Sequence, residues 1–289
     1  MIIIRLKGGL GNQMFQYALY LQLKALGKEV KIDEVNGFKD DPQRDPMLYD
    51  LFGITYDKAT EEEVVEITDA HMDILSRIKR KLFGRKSAEY QDNTGNFDPK
   101  VLEMETAYLN GYFQSDKYFT DRNVLSRLKR EFEIKPEDCL TTSKSWEIYR
   151  QILQSNSASI HVRRGDYLEP GTVETFGGIC DDDYYKRAID TLISKYPDVE
   201  FFIFSNDNEW YETHVSGDRF HYVETGEEKE DVADLLLMSL CKHHILANSS
   251  FSWWSAWMND APEKTILVPP KWLNNKPMED IYTDRMIKV

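Results

Sequence analysis

Cysteine is scarce in this chain of 289 residues. The three cysteines, Cys139, Cys180 and Cys241, lie far apart and form no CxxC or Cys/His zinc pattern. Their odd number and wide spacing predict neither a disulfide framework nor a zinc site. Such cysteine usage is typical of a protein from a reducing compartment, so we expect a cytoplasmic location.

Long apolar runs are also missing. No stretch approaches the roughly 20 apolar residues that a membrane-spanning helix needs. The opening sequence, MIIIRLKGG, holds too short an apolar run for a signal peptide and predicts a strand instead. We therefore expect a soluble protein, or one that contacts a membrane only peripherally.

Positive charge is in short supply: 36 Lys and Arg residues stand against 50 Asp and Glu residues, which gives a net charge of −14. The chain as a whole should repel nucleic acid and anionic membranes, so a local cluster of cations or amides must hold any anionic ligand. One basic segment, which begins at Arg77 and ends at Lys86, stands out from this background. Two interpretations stay open: a solvated helix face, or weak peripheral contact with an anionic membrane surface or a lipid-borne acceptor.

The pattern of strands and helices indicates two α/β halves. The chain opens with a β-branched strand, a glycine turn and an amphipathic helix, whereas residues 38–88 are polar and irregular and predict loops and surface helices. From residue 155 strands and helices alternate, and the nearly continuous apolar strand VEFFIFS indicates a parallel, doubly wound sheet. We therefore predict two domains, residues 1–154 and residues 155–289.

Polar clusters directly follow four of the predicted strands. Their sequences are GGLGNQ, RRGDY, SNDNEW and NSSFSWW. In an open parallel sheet, ligands bind outside the carboxyl ends of the strands, where helix N-termini present unpaired amides. Two such edges, one in each half, predict a cleft between the domains.

The glycine turn from Gly8 to Asn12 matches a dinucleotide-binding fingerprint only in part. Met14 replaces the third glycine, and no GKS or GKT sequence follows, so a Rossmann dehydrogenase is disfavoured. Two interpretations remain. The glycines serve a tight strand-to-helix turn with a positive φ, or they let the backbone approach a phosphate or sugar closely.

The HVRRGDY sequence is the strongest sign of a binding site. Two arginines at the end of a strand suit a diphosphate better than a protein core. By strand alternation His161 and Arg163 share one face, whereas Arg164 points away, where it can pair with Asp166. The alternative is a cluster of surface ion pairs.

Two further polar runs lie at predicted helix starts. The small hydroxyls of NSSFS suit an N-cap and an anion site equally. The run from Asp181 to Asp183 resembles a metal-binding DxD sequence. We interpret it as a helix start, where carboxylates favour the macrodipole, and expect no metal site.

Taken together, four sequence blocks resemble the α-1,2-fucosyltransferases of glycosyltransferase family eleven, and more distantly the α-1,6- and protein O-fucosyltransferases. The blocks are GGLGNQMFQYA, HVRRGDY, FSNDNEW and NSSFSWWSAW, and the resemblance covers essentially the whole chain. It implies an α/β GT-B fold, in which two Rossmann-like domains face a cleft, with the acceptor on the first domain and GDP-fucose on the second. It also implies GDP-β-L-fucose as donor, inversion to an α-1,2 linkage on a β-galactoside of an O-antigen, capsule or oligosaccharide, and no metal or other cofactor.

The resemblance implies roles for particular residues. Arg163 would bind the β-phosphate, His161 would line the nucleotide pocket, and Asp234 would read guanine. Hydroxyls and amides would hold the diphosphate at Ser249, Ser250 and Phe251. The fucose side of the donor would lie against the glycine turn at Gly9, Leu10, Gly11 and Asn12.

The catalytic base is not identified by the resemblance. Asn12 stands where some relatives carry a glutamate, and Glu169 and Glu174 do not align convincingly with the other position. We expect a loose inverting displacement in which Arg163 stabilises the leaving group and Asp166 is the candidate base. Two alternatives stay open: a GT-B transferase for another nucleotide sugar, and a catalytically silent nucleotide- or glycan-binding protein.

Overall fold

The computed structural model describes residues 1–205 and 208–289, apart from the side chains of Ser76, Arg77, Lys79, Asp166, Leu168, Asn208, Glu209 and Tyr211. The chain divides into two compact units, Met1–Glu131 and Phe132–Val289. Each unit contains a parallel sheet with helices, which confirms the α/β class. The division falls earlier in the chain than the one predicted between residues 154 and 155.

The first unit is built on a four-stranded parallel sheet with the order β2-β1-β4-β3. Its strands are β1 (Ile2–Arg5), β2 (Val30–Asp33), β3 (Glu89–Gln91) and β4 (Ala107–Asn110). Its helices are α1 (Leu10–Ala25), α2 (Asn36–Lys39), α3 (Leu48–Phe52), α4 (Glu61–Ile67), α5 (Ile74–Phe83), α6 (Lys100–Glu103) and α7 (Arg122–Glu131). The irregular region predicted at residues 38–88 is therefore a set of short helices, as expected.

The second unit contains a six-stranded parallel sheet with the order β10-β9-β8-β5-β6-β7. Its strands are β5 (Asn156–Val162), β6 (Val199–Ser205), β7 (Phe220–Tyr222), β8 (His243–Ile245), β9 (Ile266–Val268) and β10 (Met286–Lys288). Its helices are α8 (Pro136–Cys139), α9 (Ser143–Gln154), α10 (Val173–Phe176), α11 (Asp182–Lys195), α12 (Asn208–His214), α13 (Glu230–Leu240) and α14 (Ser250–Met258). Counted from β5, the strand order is 3-2-1-4-5-6, the Rossmann arrangement.

Strand β6 explains where the second unit begins. Its alternating side chains divide between two cores: Phe201 and Ile203 pack on the side of α11, whereas Phe202 and Phe204 pack on the side of α9 and α13. Ile152 of α9 is fully buried in the second of these cores. Helix α9, which we expected in the first domain, therefore belongs to the second unit.

The carboxylate of Glu227 holds the start of α9 against this unit. One of its oxygens accepts from the Thr141 amide at 2.7 Å, the Thr142 amide at 2.9 Å and the Ser145 hydroxyl at 2.6 Å. The other accepts from the Thr141 hydroxyl at 2.6 Å. Burial acts to raise the pKa of Glu227, but these hydrogen bonds outweigh it and lower the pKa to about 2.

We expect Glu227→Gln to lower the free energy of unfolding at neutral pH by about 2 kcal/mol or more, because a charged acceptor shared by several donors is lost. The folded pKa is depressed, so the carboxylate stabilises fully above its unfolded value of 4.5, and this contribution disappears as the pH falls towards 2. Denaturant unfolding of both proteins at neutral and acidic pH should therefore show a difference that shrinks with acidity.

Glu224→Gln is the matched control. Glu224 is an exposed carboxylate in the same loop and pairs with Lys144, so its loss should change stability little. An equal loss of stability in the two variants would contradict the role assigned to Glu227.

Candidate functional site

The loops that follow β5 and β8 lie side by side at the carboxyl edge of the second sheet. The two strands are hydrogen-bonded neighbours, with Ala158 paired to His243 and Ile160 to Ile245. From β5 the chain proceeds to β6 on one side, and from β8 it proceeds to β9 on the other. This reversal is the switch point of a doubly wound sheet, where such folds bind their ligands.

A cleft of about 180 Å³ opens beside these loops. Arg163 and Tyr167 line it from the β5 side, and Asn248 lines it from the β8 side. The Arg163 guanidinium lies 5.6 Å from the centroid of the Tyr167 ring, and the Tyr167 hydroxyl donates to the Asn248 carbonyl at 3.2 Å. The two polar clusters predicted after β5 and β8 are thus joined at one site.

The NSSFS sequence forms the start of α14. The Ser249 hydroxyl accepts from the Phe251 amide at 3.3 Å and is the N-cap of the helix, which confirms that part of the prediction. Ser250 is the first helical residue. The positive end of this helix dipole follows β8 directly, a position suited to an anion, although the anion site stays a prediction.

His161 lies beneath this site. It is buried, its ring centroid is 5.9 Å from that of Phe251, and its Nδ1 has no hydrogen-bond partner among the described residues. Burial, and then the charge of Arg163, lower the pKa of His161 to about 3. The imidazole is therefore neutral at physiological pH and adds no charge next to Arg163.

Asp234 lies on α13, which packs directly against α14. Burial raises its pKa to about 8, with further contributions from Glu230 and Asp231 on the same helix. In the protein without ligand, this carboxyl group is mostly protonated at neutral pH. A carboxyl group with such a shift beside an anion-type site is a candidate for ligand recognition.

Arg164 has an acidic partner on α11. Its guanidinium lies 4.0 Å from an Asp182 carboxylate oxygen. The side chain of Asp166, the predicted partner and candidate base, lies outside the described part of the structure; its backbone belongs to the 3-10 turn Gly165–Leu168. Asp181 caps α11 by accepting from the Tyr184 amide at 2.8 Å, so the helix-start interpretation of the aspartate run is confirmed.

The first unit has an equivalent edge, where the neighbouring strands β1 and β4 end. Gly8 follows β1 with a φ of +77°, and an added Cβ would lie 2.6 Å from Asn12 Nδ2 and 3.0 Å from a Tyr112 ring carbon. The predicted tight turn is confirmed. Leu10 and Gly11 are buried in the first turn of α1, so the Leu10 side chain is turned away from solvent.

Asn12 is held by its neighbours. Its side-chain oxygen accepts from Gln114 Nε2 at 2.6 Å. Because an amide has no useful basicity, Asn12 can orient a ligand but cannot take a proton from it.

Several polar residues at this edge were missed by the sequence analysis. Lys7 donates to Asn110 Oδ1 at 2.7 Å and lies 4.9 Å from the centroid of the Tyr112 ring. A Cβ added at Gly9 would lie 3.2 Å from the guanidinium of Arg44, a residue of the irregular region. The available signal was Asn110 at the end of the short apolar run AYL, which repeats the pattern of polar residues after a strand.

The remaining cluster, SNDNEW, contributes little to the described site. Asn206 and Asp207 lie outside the described residues. Trp210 is buried, with its ring centroid 4.8 Å from that of Tyr185 in the core. In the second unit the structure therefore groups Arg163, His161 and the α14 N-terminus with α13, whereas the glycine turn belongs to the first unit.

A Rossmann-ordered sheet with an arginine and a helix N-terminus at its switch point defines a protein suited to a phosphorylated ligand. Sequence comparison makes the class specific. Residues 74–287 match "Glycosyl transferase family 11". The chain belongs to glycosyltransferase family 11, which confirms the predicted family, and it is a glycosyltransferase.

Its relatives include enzymes of sugar transfer from bacteria and mammals. "O-antigen biosynthesis glycosyltransferase WbnK" of Escherichia coli is 33% identical, over 94% of this chain and 95% of the relative. "Alpha-1,2-colitosyltransferase" of Escherichia coli is 29% identical, over 95% and 93% of the two chains. "Galactoside alpha-(1,2)-fucosyltransferase 1" of Rattus norvegicus is 26% identical, over 87% of this chain and 61% of the relative.

Proposed function

We propose that this glycosyltransferase transfers L-fucose from GDP-β-L-fucose to the 2-hydroxyl of a β-galactoside, with inversion and without a metal ion. Membership of family 11 and the two relatives named for α-1,2 transfer support the linkage. The relative named for O-antigen biosynthesis supports a bacterial surface glycan as the acceptor. The second unit would bind the donor and the first the acceptor, in the cytoplasm.

The observation that carries the proposal is that Arg163 and Asn248, the residue just before the Ser249 N-cap of α14, line one cleft at the switch point. A guanidinium can donate two parallel hydrogen bonds to phosphate oxygens, and the first-turn amides after Ser249 can donate more. His161 is neutral, so it does not repel the Arg163 guanidinium. In a protein of −14 net charge, a guanidinium and helix amides would thus supply the local donors that a diphosphate needs.

This arrangement suits departure of a nucleoside diphosphate. As the bond between the anomeric carbon and the diphosphate oxygen breaks, negative charge grows on the phosphates and the sugar acquires oxocarbenium character. Arg163 and the α14 amides would stabilise the departing charge, where most of the barrier reduction is expected. The acceptor hydroxyl attacks the opposite face and loses its proton late, so a weak base such as Asp166 suffices, with Asn12 orienting the fucose.

The same charges support the proposed metal independence. The site supplies its own positive field through Arg163 and helix amides. Asp181 and Asp182 of the DxD-like run line the same cleft as Arg163, but each is already engaged, since Asp181 caps α11 and Asp182 faces Arg164.

A second donor is favoured by the similarity to the α-1,2-colitosyltransferase. Colitose is L-fucose without its 3-hydroxyl, so both sugars fit one pocket unless a polar group reads that hydroxyl. A site built to hydrogen-bond a hydroxyl rejects the deoxy analogue strongly, whereas a pocket without such a group does not.

Transfer assays with purified donors distinguish GDP-fucose from GDP-colitose as the donor. We expect turnover with GDP-fucose onto a β-galactoside in the presence of EDTA, and little with UDP- or dTDP-sugars. A preference for GDP-colitose would identify the second candidate. Loss of activity in EDTA with rescue by manganese would refute metal independence. Binding of the donor without transfer or hydrolysis would show that the protein is a catalytically silent binding protein.

Arg163→Lys tests the phosphate assignment. Lysine keeps the charge but loses the planar fork, so turnover should fall on the order of a hundredfold, the scale of one lost transition-state donor. Arg187→Lys, on the exposed side of α11, is the matched control and should leave turnover unchanged. Near-normal turnover in Arg163→Lys would contradict the role of Arg163 as a phosphate ligand.

Asp234 should make GDP binding depend on pH. An ionised carboxylate can accept from both guanine N1–H and the exocyclic amine, so binding favours the deprotonated form and lowers the pKa from about 8. GDP affinity should therefore rise as the pH increases towards 8, and binding at neutral pH should release a proton.

Asp234→Asn should lose about tenfold or more in GDP affinity, because a donor then faces a donor, and it should lose this proton release. Calorimetric titration of GDP in two buffers of different ionisation enthalpy measures both the affinity and the number of protons released. Protons released by the nucleotide's own phosphate add equally to the values for the two proteins. Asp231→Asn, in the first turn of the same helix, is the control. If Asp231→Asn weakened GDP binding and Asp234→Asn did not, the guanine contact would be assigned to Asp231.

A further inference from the structure

Helix α5 exposes an apolar stripe. Ile74, Ile78 and Leu82 follow one another at intervals of four residues and so lie on one side of the helix. Ile78 is 50% exposed, Leu82 70% and the adjacent Leu75 79%. A helix of an ordinary globular domain turns such a stripe towards the core, so this one lacks its usual cover.

The opposite side of the helix is fixed to the first unit by polar contacts. Arg80, two residues after Ile78 and so on roughly the other side, donates to the carbonyls of Asp69 at 2.9 Å and His71 at 2.6 Å. Arg85 donates to the Thr68 carbonyl at 2.9 Å. Arg80 within the helix and Arg85 just after it therefore orient the helix, with the apolar stripe facing away from the segment that holds it.

The charge around the stripe distinguishes this segment from the rest of the chain. Residues 76–86 contain lysines and arginines but no acidic residue, in a protein with a net charge of −14. Lys81 and Lys86 are exposed beside the apolar residues. A solvated face would be polar and a core helix would be covered, whereas a convex apolar ridge bordered by cations is the form of a helix in a lipid headgroup region.

We propose that α5 binds the surface of an anionic bilayer, with Leu75, Ile78 and Leu82 among the acyl chains and Lys81 and Lys86 at the phosphates. Among the described residues, no helix is long and apolar enough to cross a membrane. The contact is therefore that of a helix parallel to the surface, combining modest apolar burial with electrostatic attraction. This inference does not depend on the identity of the sugar donor.

Co-sedimentation with vesicles tests the apolar part. The protein should bind vesicles of phosphatidylcholine and phosphatidylglycerol, and Ile78→Ser with Leu82→Ser should weaken this binding at least about tenfold. Leu153→Ser with Ile287→Ser is the control, because these side chains are exposed to a similar degree on α9 and β10. Circular dichroism and thermal unfolding establish that each variant is folded.

Charge variants test the electrostatic part. Lys81→Gln with Lys86→Gln should reduce binding to anionic vesicles, and high salt should reduce it for the unmodified protein, whereas Lys186→Gln with Arg187→Gln on α11 should not. Equal binding to pure phosphatidylcholine vesicles, or none to anionic ones, would overturn the proposal. A dimer that the serine variant converts to monomer, without vesicle binding, would assign the stripe to a second copy of the chain.

Discussion

The parallel pairing of β5 with β8 is the constraint on which the binding edge of the second unit depends. Because the two strands are adjacent and parallel, their carboxyl ends meet, and the chain leaves them in opposite directions. In a doubly wound sheet this divergence leaves a crevice between the departing loops. The sequences that follow the strands therefore face one cleft although they are far apart along the chain.

This placement also determines which groups carry charge. Burial keeps His161 neutral, and burial among acidic neighbours keeps Asp234 protonated before ligand binds. Arg163 thus supplies positive charge close to a helix N-terminus, in a chain that is otherwise strongly acidic. In the proposed function, Arg163 binds the phosphates and Asp234 binds guanine. A carboxyl group that ionises on binding can discriminate what it binds.

The second unit was largely predictable because its signals are local. Short sequence patterns predict its elements and their ends. Examples are the apolar strand VEFFIFS, the arginines after β5 and the hydroxyls after β8. The short strands β3, β4 and β10 were missed, because they lie outside the regular alternation of strands and helices that revealed the equally short β8. We expected α9 in the first domain. It belongs to the second unit because it packs in the same core as Phe202 and Phe204, a contact that the local sequence does not encode.

The edge of the first unit resembles a family pattern in sequence, although Arg44, which lies at this edge, could not be predicted. Within the block GGLGNQMFQYA, Gln13 donates to the carbonyls of Gly8 and Asp45, both at 2.9 Å, and accepts from the Met47 amide at 2.8 Å.

Gln16 performs the same task for another pair of loops. It accepts from the Lys7 amide at 3.0 Å and donates to the Gly111 carbonyl at 2.9 Å. Both glutamines are fully buried in α1, so each must satisfy its amide inside the protein, and the partners that do so are backbone groups of the loops around the glycine turn. The block therefore specifies the positions of three loops through two side chains, and Arg44, which lies outside the block, is positioned by one of the loops that the block holds.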